Sequence, residues 1–240
     1  MRFAICAANF GSWADPQLAI RAARAAEAAG WDGFFLWDHL AFVWGPPSAD
    51  PWVTLGAVAC ATERLTLGTA VTPLPRRRPQ VLAEQLGTLE RLNGGGVVLG
   101  AGLGGNETEF TAFGEDFDPH RRARLLDDGL ERVRGLWSGP IWIGGNSGPA
   151  LRRAARWDGW IPNSLEPHRV TMSAADLGEK VRAIGRRDGF DVAFNGYSEP
   201  GETVEAYAEA GATWWLENLH DMRGDEDASL ARIEAGPPAA

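Results

Sequence analysis

Residues 2–39 read RFAICAANFGSWADPQLAIRAARAAEAAGWDGFFLWDH, and their order of apolar and breaking residues sets the architecture. Arg2 to Ala8 is a short apolar run, Asn9, Gly11, Asp15 and Pro16 are turn and helix-start residues, and Gln17 to Ala29 is rich in alanine. Gly30 stops that helix, and Asp32 to Trp37 is a second buried-strand candidate ending at Asp38-His39. The unit is strand, loop, helix, strand.

The alternation continues outward along the chain. It predicts strands over Leu65–Val71, Gly96–Ala101, Pro140–Ile143, Asp158–Ile161, Asp191–Asn195 and Thr213–Glu217. Helices are expected at Pro79–Leu92, Arg121–Trp137, Pro149–Arg156, Ala174–Arg187, Glu202–Ala210 and Asp225–Ile233. Parallel strands need helical crossovers, so eight strands alternating with helices predict an α/β chain folded as a compact (β/α)8 barrel, a TIM barrel. A doubly wound open sheet is the alternative, because local pattern does not show closure. A single domain over residues 1–235 with a frayed tail at 236–240 is expected.

The chain of 240 residues carries 23 Lys+Arg against 32 Asp+Glu, a formal charge of -9. Such a surface repels nucleic acid and anionic membrane faces. No apolar run is long enough to span a bilayer, and a cytoplasmic protein is expected. Cys6 and Cys60 stand in apolar stretches without metal or redox spacing and read as buried small hydrophobes. The four histidines are scattered, so no metal site is expected. A small-molecule substrate is the expected partner, and the oligomeric state is left open with a homodimer among the candidates.

In a (β/α)8 barrel chemistry sits where strands end and the following loops begin. That rule selects Asn9-Phe10-Gly11, Asp38-His39, Val71-Thr72-Pro73, Gly102 to Glu107, Gly144-Gly145-Asn146, Pro162-Asn163, Gly196-Tyr197 and Glu217-Asn218. His39 is the leading catalytic candidate, since a histidine past a strand end can exchange a proton near neutral pH. Asp38 either orients its ring or caps a turn. Gly144-Gly145 before Ser147 and Pro149 suits a phosphate at a helix start, with a plain tight turn as the other reading. Arg76-Arg77-Arg78 reads as a catch for an anionic ligand tail or as a solvated charge run. Phe10, Trp44 and Asn163 are the candidates for substrate contact. Phe42, Trp44, Trp52, Trp142 and Trp160 are aromatics able to stack on a ring, although most of the tryptophans must fill the core.

These segments resemble the luciferase-like family of flavin- and deazaflavin-dependent oxidoreductases. The resemblance lies in Ala29–Leu40 (AGWDGFFLWDHL), Asp50-Pro51-Trp52, Thr62–Leu74 (TERLTLGTAVTPL), Arg77-Arg78-Pro79, Leu89–Gly95 (LERLNGG), Leu99–Phe110 (LGAGLGGNETEF), Pro140–Gly145 and Leu151–Ile161, in that order. It implies F420 or FMN in the barrel mouth and a non-proline cis peptide at Ala70–Val71 pressing on the ring, next to Thr72. It also implies Asn106 and Glu107 as the family's Asn-Glu after the glycine run, and Gly144 and Gly145 on the cofactor phosphate. His39 matches the histidine that deazaflavin-dependent members place near the reacting ring carbon. F420 is favoured, because the Asp38-His39-Leu40 strand end is most similar to members that use it.

Two departures stand out. Where sugar-phosphate dehydrogenases of the family carry a catalytic glutamate this chain has Leu103, and the insertion after the fourth helix is shortened to Ser138-Gly139. The expected function is hydride transfer or monooxygenation on a small organic substrate. The alternatives are a non-catalytic flavin-binding barrel without its lid, and a phosphate-handling lyase or isomerase on the same fold. Schiff-base chemistry would need a strand-end lysine, and the chain's one lysine, Lys180, falls on an expected helix.

Overall fold

Aspartate followed by proline opens three helices of the molecule: Asp15, Asp50 and Asp118 each accept a backbone N–H of the first turn, and the proline fills a position where a missing N–H costs nothing. In the computed structural model, which describes residues 1–185 and 187–240, these are α1 (Pro16–Ala28), α2 (Pro51–Ala59) and α4 (Pro119–Arg134). The others that follow strands are α3 (Pro79–Leu92), α5 (Gly148–Ala154), α6 (Ala174–Ile184), α7 (Glu205–Glu209) and α8 (Glu226–Glu234).

The strands are β1 (Arg2–Ala7), β2 (Gly33–Leu36), β3 (Thr66–Pro73), β4 (Val97–Gly102), β5 (Ile141–Gly144), β6 (Gly159–Ile161), β7 (Asp191–Gly196) and β8 (Trp214–Leu219). All pair in parallel, and β8 closes on β1 from Arg2 opposite Trp214 to Ala7 opposite Leu219. The barrel therefore replaces the open-sheet alternative. A two-residue antiparallel hairpin, Leu165–Glu166 with Arg169–Val170, hangs after β6.

Alternate residues of each strand face the barrel axis. The inner cluster is Ala4, Cys6, Phe35, Val98, Trp142, Ile161, Ala193, Trp214 and Leu216. Phe35, Trp142 and Trp214 form its centre, with ring centroids 5.6 to 6.0 Å apart. Glycines make room for these rings: a Cβ on Gly68 would stand 2.8 Å from the Phe35 ring, and one on Gly159 would collide with Trp142. The interior is filled by side chains, and ligands meet the barrel at its C-terminal mouth.

Several expectations are corrected. Trp52, Trp142 and Trp160 are buried in packing roles and unavailable to stack on a ligand. Cys6 is buried, but Cys60, after the last turn of α2, is exposed. The tail over 236–240 is hydrogen-bonded to the barrel: Val204 N–H donates to Ala239 and Ala239 N–H to Glu202, while Arg232 donates to Gly236. Helix α2 was not anticipated, and no described helix is long and apolar enough to cross a membrane.

Candidate active site

Strand β3 loses its regular pairing as it reaches the mouth. Thr69 pairs with Leu99 and Thr72 with Ala101, so Ala70 and Val71 together oppose the single Gly100, and the Ala70–Val71 peptide is cis. Neither residue has a ladder partner, and both are half-buried. The Val71 side chain fits a recess made by two glycines: a Cβ on Gly102 or Gly144 would stand 2.8 or 2.9 Å from a Val71 methyl. Thr72 is buried and donates to the Thr69 hydroxyl at 3.0 Å.

His39 is fixed through its main chain by Asn9, which accepts the His39 N–H at 3.0 Å and donates to the His39 carbonyl at 2.9 Å. Its ring Nδ1 lies 2.5 Å from Glu109 Oε1, and the other Glu109 oxygen is 2.6 Å from Arg76. Glu109 is 2% exposed. Burial alone would raise its carboxyl, but the His39 hydrogen bond and charge, the Arg76 guanidinium and the Leu40 N–H hold it below the ordinary carboxylate range. An ionised Glu109 places the Nδ1 proton toward itself and leaves His39 Nε2 as the ring's second proton site.

Asp38 does not orient the His39 ring. Its buried carboxylate takes a two-point contact from Arg77, at 2.8 and 2.9 Å, while Arg76 donates to the Asp38 carbonyl at 2.6 Å. Arg76 and Arg77 are thus neither a free anion catch nor a solvated run: they fix the end of β2 against the turn after β3. Arg78 alone of the three is exposed.

An aromatic wall stands beside His39. Phe10 lies 5.8 Å from His39 and 5.2 Å from Trp44, and Trp44 lies 5.7 Å from His39. Trp44, Phe42 and Phe113 are exposed at the rim. Phe10 and Trp44 are therefore brought to the leading catalytic candidate. Asn163 is not: it is exposed and exchanges two hydrogen bonds with Asn146 in the loops after β5 and β6.

The glycine-run residues divide. Asn106 accepts from Thr108 N–H at 3.0 Å and Glu107 is exposed, so both shape the start of the single helical turn Thr108–Thr111. That turn aims Glu109, which sequence reasoning passed over, at His39. The available signal was Glu109 beside Phe110, a carboxylate next to an aromatic that must be buried. At the β5 end, Gly145 has φ +115° and its N–H donates to Ile161, so it is not free for a phosphate. Among the described residues, the Asn146, Ser147 and Gly148 N–H groups have no partner.

Fold and site thus define a closed (β/α)8 barrel with a buried carboxylate, a histidine and aromatic rings at its C-terminal mouth. The chain belongs to the luciferase-like monooxygenase family, whose model matches residues 1–139. An uncharacterized protein of Mycobacterium tuberculosis is 31% identical over 208 residues, covering 75% of this chain and 73% of that protein. The F420-dependent glucose-6-phosphate dehydrogenase of Microbacterium testaceum is 35% identical over 161 residues, 54% of this chain and 47% of the dehydrogenase. An F420-dependent secondary alcohol dehydrogenase, solved with an F420-acetone adduct, shares the fold with a TM-score of 0.76 at 17% identity, covering 97% of both chains. The FMN-bound oxygenating constituent of 3,6-diketocamphane monooxygenase from Pseudomonas putida shares it at 0.71 and 14% identity, covering 92% of this chain and 91% of that one.

Proposed function

We propose that this chain is an oxidoreductase acting on a small organic substrate with a deazaflavin or flavin bound over the β3 to β5 side of the mouth, F420 being favoured over FMN. The observation that carries this reading is His39 joined through Nδ1 to the buried Glu109, whose carboxyl is held below the ordinary range, at the mouth of a barrel of this family.

The residues present fit such a ring. Ala70 and Val71 have no register partner on β2 or β4, and the irregular strand there can present main-chain polar groups to the donor and acceptor edge of a flat heterocycle. Gly102 and Gly144 let Val71 sink out of the way. In this reading Ala70, Val71 and Thr72 hold the ring edge, and the loop from Gly144 and Gly145 to Ser147 holds the phosphate side. Asn106 and Glu107 act on cofactor binding by shaping the adjoining turn. When bound, the cofactor supplies hydride chemistry, or oxygen chemistry if it is FMN.

The protein's own contribution is proton handling and exclusion of water. Glu109 orients the imidazole of His39, so that Nε2 holds or releases a proton at the substrate. The His39 ring, with Arg76 behind it, holds the Glu109 carboxyl below its ordinary range. Phe10 and Trp44 wall the site against solvent, which strengthens hydrogen bonds made within it. Leu103 carries no proton, and Glu109 brings a carboxylate to the mouth from six residues further along.

Absorption and fluorescence titration with each cofactor tests the reading. Binding of F420 or FMN in the micromolar range or tighter is expected; no binding of either would leave a barrel without this chemistry.

A further inference from the structure

Alternate residues of β2 face the barrel axis, Gly33 and Phe35, and Trp37 is next in that series. Its N–H still bonds Ala7 of β1 at 2.9 Å, so the alternation carries past the strand end and sets the indole one layer above Phe35. Three partly buried residues pack on the inner cluster: Trp37, Ala70 and Val71. They form the floor of the mouth, and of the three only Trp37 has no part in the reading above.

Trp37 is held in place from several sides. Its Nε1 donates to Asn218 at 3.2 Å, and the buried Asn218 amide is itself spent, donating to Asn195 at 3.1 Å and to the Leu216 carbonyl at 2.8 Å. The ring lies 5.9 Å from Phe10, 6.0 Å from His39 and 5.5 Å from His220. Turning aside for a ligand would break this packing and take from the Asn218 oxygen its one donor among the described residues.

The indole is nonetheless only half-buried. With the inner cluster below it and rings around it, its uncovered part opens to the mouth. On one side stands His39; on the other stands His220, bonded to Tyr197 at 2.8 Å. Burial, with Arg223 nearby, pulls His220 down to about 4, so near neutral pH the far side of the indole carries no imidazolium charge.

We propose that Trp37 is a specificity-determining residue: a fixed wall that keeps the reacting end of the substrate on the side of His39, Ala70 and Val71 and limits the size of the group that fits there. This rests on the oxidoreductase reading. A molecule whose reacting atom meets His39 Nε2 rests its flank on the indole, and one widened by a further ring must displace it. The wall therefore selects by exclusion. Replacing it with alanine would open a space of indole shape that joins the His39 and His220 sides.

Indole, the group that Trp37→Ala removes, and benzene, a smaller apolar probe, are titrated into the parent chain, Trp37→Ala and Trp37→Phe. The titrations are run first without cofactor and then with whichever of F420 or FMN the chain binds. Heats of binding give the affinities, and the ring-nitrogen NMR signals of His39 and His220 locate the probe. Trp37→Ala should raise the ratio of indole to benzene affinity about tenfold or more over the parent, with both histidines' signals moving to saturation and Trp37→Phe intermediate. The gain should persist with the cofactor in place, because the opened space lies beside its ring.

An unchanged ratio in the variants, or a gain without movement of the His39 signals, would overturn the proposal; Trp37→Phe decides it if the alanine variant does not fold. A gain lost on cofactor loading would overturn it as well, by giving the space to the cofactor. A chain that binds neither cofactor would remove the oxidoreductase reading, while the cofactor-free ratio still decides whether Trp37 limits what the mouth admits.

Discussion

At the scale of single residues the site is organised by contacts between groups far apart in the chain. His39 and Glu109 are 70 positions apart, and His39→Asn should lower turnover by about 10²-fold or more while leaving cofactor affinity within a few-fold, the scale of losing a general acid or base. Equal turnover in the variant would free His39 from the mechanism. His220 gives a pH signature instead. Its folded value of about 4 lies below the ordinary 6.5, so its neutral form contributes stability that is complete above pH 6.5 and is lost as pH falls toward 4. That loss amounts to about 3 kcal/mol. Urea unfolding of the parent and of His220→Gln across that window should show it as a shallower slope in the variant. His39 and Tyr197 were legible because strand ends are visible in sequence, whereas Glu109, His220 and the contacts that join each pair were not, because partners made by barrel closure leave no local trace.

Among the elements, the long ones were read nearly to their ends and the short ones were not. Helix α3 begins at Pro79 and ends at Leu92 as expected, its buried Leu82, Ala83, Leu86 and Leu89 recurring at helical spacing. Helix α2, PWVTLGAVA, escaped because it is apolar almost all round and carries Gly56 with the β-branched Val53, Thr54 and Val58, so no single stripe marks a face. The expected helix over Glu202–Ala210 shrinks to Glu205–Glu209 because the Glu202 carbonyl and Val204 N–H are taken by the C-terminal tail. The meeting of β3 with β5 makes its own prediction. Gly144→Ala would place a methyl 2.9 Å from Val71, and the displaced Val71 should cost about 1–3 kcal/mol of stability and weaken cofactor binding. Calorimetric melting and the cofactor titration measure the two effects separately, and an alanine without either would mean that Val71 has room to move.

On the scale of the whole molecule, both ends of the chain help to close the ring. Strand β1 pairs with β8, and residues 236–240 return to brace the segment before α7 through Ala239, while Arg232 of α8 bonds Gly236. Removing residues 236–240 should lower the melting temperature by about 2–8 °C, as the loss of two or three net hydrogen bonds implies; an unchanged melting temperature would show those bonds to be compensated by water. The filled barrel axis has a different kind of consequence. Phe35, Trp142 and Trp214, the first two seated over Gly68 and Gly159, form a foundation that none of the mouth loops has to support. Loops exchanged at the ends of β6, β7 and β8 would therefore alter which molecules are accepted without undoing the fold, and a laboratory lineage bred for new substrates should gather its changes in those loops while the central rings and their glycines stay as they are.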